Sequence, residues 1–191
     1  MVIGTDKTLD AYPVIATFFQ RHIEGASLAV DHIAEVAGAA ADIASRAILL
    51  EKKLFSVGLG ADAAAAVALA SLLQSGVLRE RPSLPVLELA EYRIDSVQTS
   101  INWVSQRLQA LGQVGDVAFV FAANLSQGEI QRIQVATEQR QVIPVWLGQR
   151  GPGLSLYSDE DSVECRLTLN HAIAICLARL IETHTFGPVE D

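Results

Sequence analysis

Residues 54 to 73, LFSVGLGADAAAAVALASLL, constrain the fold more than any other stretch of this chain. A short apolar run reads as a buried strand, Gly58-Leu59-Gly60 as a sharp turn, and the alanine-rich continuation as a helix packed back on that strand. The same alternation recurs downstream. PVLEL is followed by a helical pattern from 96 to 111, VAFVF by one from 126 to 139, and VIPVW by a last helix from about 163 to 184. Strands separated by ten or more helical residues need crossover connections, and these produce a parallel sheet with helices on both faces. The expectation is a doubly wound α/β domain over residues 54 to 191. RGPG, residues 150 to 153, closes the fourth strand run, and the acidic run DEDSVE after it reads as a solvated loop.

Residues 1 to 53 precede the first strand. Pro13 can open a helix reaching about Glu24, with Val14, Ile15, Phe18, Phe19 and Ile23 as its apolar stripe. Ser27 can cap a second helix that ends near Lys53. The segment is therefore expected to be a helical hairpin. Its apolar faces are too wide for the pair to bury alone, which points to oligomerisation, with the chain as a whole forming one compact domain.

Composition excludes several function classes. A formal net charge of -8 argues against direct nucleic-acid binding, which needs clustered Lys and Arg. No apolar run approaches the ~20 residues that span a bilayer. MVIGTDKTLD lacks a signal-peptide pattern, so the expected compartment is the cytoplasm. Cys165 and Cys176, about 16 Å apart on one helix, cannot bridge each other and read as reduced core thiols. His22, His32, His171 and His184 show no metal-ligand spacing, so neither metal nor other cofactor is expected.

In an open parallel sheet, ligands bind beyond the carboxyl ends of the strands, where strand order reverses. The candidate loops are 58 to 62, 89 to 95 and 122 to 128. GLGADA fits a dinucleotide fingerprint, but Glu88 lies too far along the chain for the ribose-binding acid.

LFSVGLGADAAAAVALASLLQSGVLRERPSLPVLEL, LQALGQVGDVAFVFAANLSQGEI and LNHAIAICLARLIETHTF, in that order, resemble the sugar isomerase (SIS) family, in its phosphoheptose isomerase branch. RERPSLP, the ALGxxGDV pattern and the terminal LIExxxF carry the likeness over residues 10 to 186. Within the branch they are most similar to the DnaA initiator-associating type. The resemblance implies a flavodoxin-like, five-stranded sheet and a homotetramer, with a dimer as the smaller alternative. It also implies a phosphosugar pocket at subunit boundaries.

Family members hold phosphate with a G-N-G-x-S turn and an S-T-x-G-N-S loop. Here those ligand-pocket positions are Gly58, Gly60 and Asp62, then Ala122, Ala123, Asn124 and Ser126, so most of the hydroxyls are gone. Each lost hydroxyl removes about 1.5–3 kcal/mol of hydrogen bonding to a charged phosphate. Asp62 adds repulsion of roughly 4 kcal/mol per unit charge at about 4 Å and an effective dielectric of about 20. Arg93 is the one cation the candidate loops offer against it. Asp62 is expected instead to cap its own helix, supplying an internal anion.

The resemblance places Leu72 at the family's catalytic Glu and Asn170 at its His, with His171 one residue away. The pair that moves a proton between adjacent sugar carbons is therefore absent. The segment after the second strand is shorter than in the family, and Tyr92, Arg93 and Trp103 are expected to fill the space by packing. The resulting expectation is a non-catalytic scaffold, with DnaA as its partner by resemblance and Phe186 as a contact. The alternative is a phosphosugar isomerase, for instance for sedoheptulose 7-phosphate, or a sugar-phosphate sensor.

Overall fold

The computed structural model describes residues 10–91, 97–158 and 162–189. A five-stranded parallel sheet has the order β2-β1-β3-β4-β5, formed by Leu54–Leu59 (β1), Val86–Glu91 (β2), Val117–Phe121 (β3), Ile143–Leu147 (β4) and Leu154–Leu156 (β5). The chain runs outward from β1 to β2 and then returns to place β3 on the other side of β1. Strand order therefore reverses between β1 and β3, and the exits of these strands lie side by side.

The strands alternate between two cores. Val117, Phe119 and Phe121 face one layer of helices and Ala118, Val120 and Ala122 the other, as the two-residue period of a strand requires. Tyr12–Leu49 (α1), Ala63–Ser75 (α2) and Val163–Phe186 (α5) cover the first face. Val97–Leu111 (α3) and Gln127–Arg140 (α4) cover the second, where Trp146 is fully buried. The doubly wound five-stranded fold is the one expected. At the amino ends, buried Asp116 accepts from the Lys53 N–H at 3.0 Å and the Gln113 N–H at 2.8 Å, and pairs with the Lys53 ammonium at 2.6 Å.

Two details differ. The N-terminal segment is a single 38-residue helix rather than a hairpin. Gly25 keeps a negative φ and no proline follows it, so nothing turns the backbone out of the helix at residues 25 to 27. The two halves of α1 pack differently. Ala29, Ala37, Ala40, Ala41, Ala44 and Ala47 are buried, small enough to let α1 lie close against Leu169, Ile173 and Leu177 of α5. Tyr12, Val14, Ile15, Phe18, Phe19, Ile23 and Leu28 are exposed.

β5 completes the expected five strands, although no apolar run marks it. It follows the Gly151-Pro152-Gly153 turn and pairs with β4 through three residues. LSL is too short to show a strand period. Cys165 is buried as expected, but Cys176 is exposed. The buried stripe of α5 runs through Cys165, Leu169, Ile173, Leu177 and Ile181, and Cys176 lies about 100° off it.

Candidate functional site at the carboxyl edge of the sheet

The glycine turn holds α2 against β1. A Cβ on Gly58 would come within 2.6 Å of the Ala63 Cα and 2.7 Å of the Ala66 Cβ, so this glycine serves strand–helix packing and is buried in β1. Ser56 fastens the same pair, its hydroxyl donating to the Ala66 carbonyl at 2.7 Å. Gly60, at φ +59, turns the chain into a short 3-10 stretch, Gly60–Asp62.

Asp62 occupies the N-cap position of α2, but its side chain caps nothing in that helix. Its N-cap backbone is helical rather than extended, which turns the carboxylate away from the first-turn N–H groups. It reaches across to α5 instead, where the Asn170 Nδ2 donates to its Oδ1 at 2.7 Å. Burial pushes the Asp62 carboxyl above its ordinary value. The Asn170 amide, the Arg166 guanidinium and the Ala123 backbone N–H oppose that rise without cancelling it.

The second loop continues the site. Ala122 is fully buried in the core, Ala123 is half-buried, and Asn124 turns the chain with φ +61. Ser126 ends the loop, and its hydroxyl is already engaged. Both Ser126 N and Oγ donate to the Glu129 Oε2 at 2.7 Å, holding the start of α4. These bonds, the hydroxyl's first and the backbone N–H's second, keep the Glu129 carboxyl below its ordinary value. The Leu125 N–H donates to the Gln149 Oε1 at 3.0 Å, which ties the loop to the exit of β4.

The structure therefore gathers Asp62, Ala123, Asn170 and Arg166 at the strand exits. It does not bring Leu72 there. Leu72 lies ten residues along α2, about 15 Å from Asp62 at ~1.5 Å per residue, and packs against the first core. His171 is half-buried on α5, rotated away from Asn170. Trp103 packs against the second core beneath Arg107, whose guanidinium is 5.5 Å from the ring centroid. Phe186 ends α5 and turns back on its own subunit, with the Arg81 guanidinium 5.6 Å from its ring. Tyr92 and Arg93 lie outside the described residues. Among those described, no cluster of three His, Cys, Asp or Glu side chains is placed to hold a metal ion.

Arg166 and Gln149 escaped the sequence reading. Arg166 precedes Asn170 by four residues, hence on the same face of one helix, and that spacing was the available signal. Gln149 lies past β4, in an exit loop outside the three strand-end loops considered.

No protein-family model matches the chain. The phosphoheptose isomerase of Alkalilimnicola ehrlichii is 26% identical over 188 residues, covering 91% of this chain and 96% of that protein. That of Halorhodospira halophila is 27% identical over 194 residues, covering 94% and 98%. Over nearly its whole length the chain is similar to proteins named phosphoheptose isomerase. Solved structures agree on the fold. The phosphoheptose isomerase of Francisella tularensis superposes with a TM-score of 0.75 at 18% identity, over 92% of this chain and 100% of that one. The enzyme of Neisseria gonorrhoeae gives 0.74 at 17% identity, over 90% and 98%. Among the described residues no helix is long and apolar enough to cross a membrane.

Proposed function

We propose that this protein binds a phosphorylated sugar at the carboxyl edge of its sheet, between the exits of β1, β3 and β4. The observation that carries this reading is the near-full-length likeness to proteins named phosphoheptose isomerase. The position of the Asp62–Asn170–Arg166 cluster at the strand-order reversal supports it, because that crevice is where open parallel sheets take ligands. Isomerisation would also need an acid–base group to move a proton between two sugar carbons. Leu72 has none, and the Asn170 amide is already bonded to Asp62. Ligand binding is therefore the part of the relatives' activity proposed here.

A thermal-shift and calorimetric titration with sedoheptulose 7-phosphate tests it. Saturation at about a hundred times Kd should stabilise the fold by about 2.7 kcal/mol. Flat melting curves at millimolar ligand discard the reading, and measurable isomerisation extends it to an enzyme.

A second reading, an assembly scaffold docking a protein such as the replication initiator DnaA, is favoured by the exposed apolar stripe from Tyr12 to Leu28. Contiguous exposed apolar patches mark interaction surfaces. In this reading α1 holds a homotetramer or a dimer together and Phe186 contributes to the partner surface. A Phe18→Glu, Phe19→Glu double variant should then lower the mass seen by light scattering. Failure of purified DnaA to be retained at micromolar concentration removes that partner.

A further inference from the structure

Two donors at the carboxyl edge remain unspent. Arg166 Nε is buried with no hydrogen-bond acceptor, and so is Gln149 Nε2, although the Oε1 of the same amide is held by Leu125. Both residues belong to segments that meet at Asn170. Arg166 lies one turn earlier on α5, and Gln149 follows Gly148, where a Cβ would meet the Asn170 Nδ2 at 2.6 Å and the Ala122 carbonyl oxygen at 3.3 Å. Gly148 also has φ +87, so this position admits the asparagine through both its missing side chain and its backbone.

Buried donors normally find acceptors, and a pair left open at one sheet edge calls for an explanation. Here the open groups are an amide N–H and one edge of a guanidinium. That combination suits an oxygen-rich anion, and the planar guanidinium fork suits phosphate in particular. The cluster's own acceptor is Asp62, and its Oδ1 already takes the Asn170 amide. Asp62 fills the space beside the glycine turn, holds Asn170 and faces the Arg166 charge.

We propose that Arg166, assisted by the Gln149 amide, receives the phosphate group of the bound sugar phosphate. This deepens the phosphosugar-binding reading and rests on it. The anion is taken on the β4–α5 side of the crevice, not at the β1 turn where Asp62 stands. The sugar hydroxyls then face Asp62, whose carboxylate accepts from them. Asp62 thereby changes from an obstacle to the ligand into the group that orients its neutral end.

Calorimetry on the full chain tests this with three probes: sedoheptulose 7-phosphate, unphosphorylated sedoheptulose and inorganic phosphate. Wild type should bind the sugar phosphate more tightly than either other probe. Arg166→Met should weaken sugar-phosphate binding by about ten- to a hundredfold, the size of lost charge-assisted hydrogen bonds, and leave the neutral sugar unaffected. Arg166→Lys should fall between, because it keeps the charge but not the fork. Gln149→Glu preserves the acceptor for Leu125 while replacing the donor with a negative charge, and should weaken phosphate binding further than the neutral sugar's. If Arg166→Met and Arg166→Lys, both folded by circular dichroism, bind the sugar phosphate as tightly as wild type, the assignment is wrong and phosphosugar binding stands. If wild type binds inorganic phosphate through Arg166 but no sugar phosphate, the anion contact stands and the sugar-phosphate reading falls. Wild type that binds none of the probes overturns both.

Discussion

Glu182 and Asp62 are both carboxylates cut off from solvent, and both are tied to α5, the first as part of it and the second through Asn170. Their surroundings differ in kind. Glu182 Oε2 accepts from the Val77 N–H at 2.8 Å and the Arg81 Nε at 3.0 Å, while Oε1 accepts from the Leu78 and Arg79 N–H groups at 2.9 and 3.1 Å. Arg81 in turn donates to the Leu73 and Leu72 carbonyls at 2.8 and 3.2 Å, closing the end of α2. Burial alone would push the Glu182 carboxyl up, but the Val77 and Leu78 N–H groups and the Arg81 guanidinium outweigh it and hold it below its ordinary value. Around Asp62 the balance tips the other way, and burial wins. A buried charge with a full set of donors locks architecture, whereas one left short of donors stays responsive to what approaches it.

The largest test of that contrast is Glu182→Gln. The change leaves the Arg81 side chain, 2% exposed, without its counter-charge and turns an amide NH2 toward backbone N–H groups. Breaking a buried pair in this way should cost about 3–5 kcal/mol, seen as a lower urea midpoint at unchanged slope. A loss under about 1 kcal/mol would mean the clasp is not a lock, and the comparison would lose its structural half.

Glu182 also shows how the sequence carries its information. RERPSLP marks the family likeness by pattern, and the clasp supplies the physical reason, since Arg81 and the backbone of residues 77 to 79 must meet that glutamate. Four of the five strands are visible as apolar runs: β1 and β3 are buried on both faces, β4 is buried over its last three residues, and the edge strand β2 keeps its apolar pattern although Leu87 and Glu88 are exposed. The last, Leu154–Leu156, is hidden by having three residues. The unbroken α1 is hidden in the sequence because Gly25-Ala26-Ser27 offers the residues of a helix end, while the choice to continue is made by backbone conformation that composition does not reveal. The candidate loops are legible in the sequence, and the bonding of their side chains is not. Asp62 was placed at the correct helix start, but the direction of its side chain depends on Asn170, 108 positions away in sequence.

Asn170→Ala comes next in size. Removing the amide takes a hydrogen bond from a buried carboxylate and should cost about 1–3 kcal/mol at neutral pH. The amide favours the ionised form of Asp62, so the penalty should shrink in acid, where that carboxyl is protonated. A penalty that stays constant between neutral and acidic pH would show that Asn170 acts by packing alone. Asp62 would then be no more responsive than Glu182.

Asp62→Asn should have the smallest effect, and its pH dependence is the sharpest part of the contrast. The folded-state value of Asp62 lies above the ordinary 3.8, so the folded chain holds a proton that the unfolded chain has already released. Its contribution to stability is complete below about 3.8 and is lost as pH rises through the raised folded value, leaving the ionised group a net cost at neutral pH. Asparagine keeps the shape and can still accept from Asn170 without the charge. At pH 7 the variant should lie within about 1 kcal/mol of wild type, equal or more stable, and should fall behind it in acid. Glu182→Gln must slope in the opposite sense. The folded value of Glu182 is depressed below 4.5, so its stabilisation is present above that pH and is lost as pH falls through the folded value, which shrinks the penalty of the variant in acid. Urea titrations of both variants at successive pH values therefore read the two environments as slopes of opposite sign. Parallel slopes would show that Asp62 is compensated as fully as Glu182 and holds nothing in reserve for a ligand.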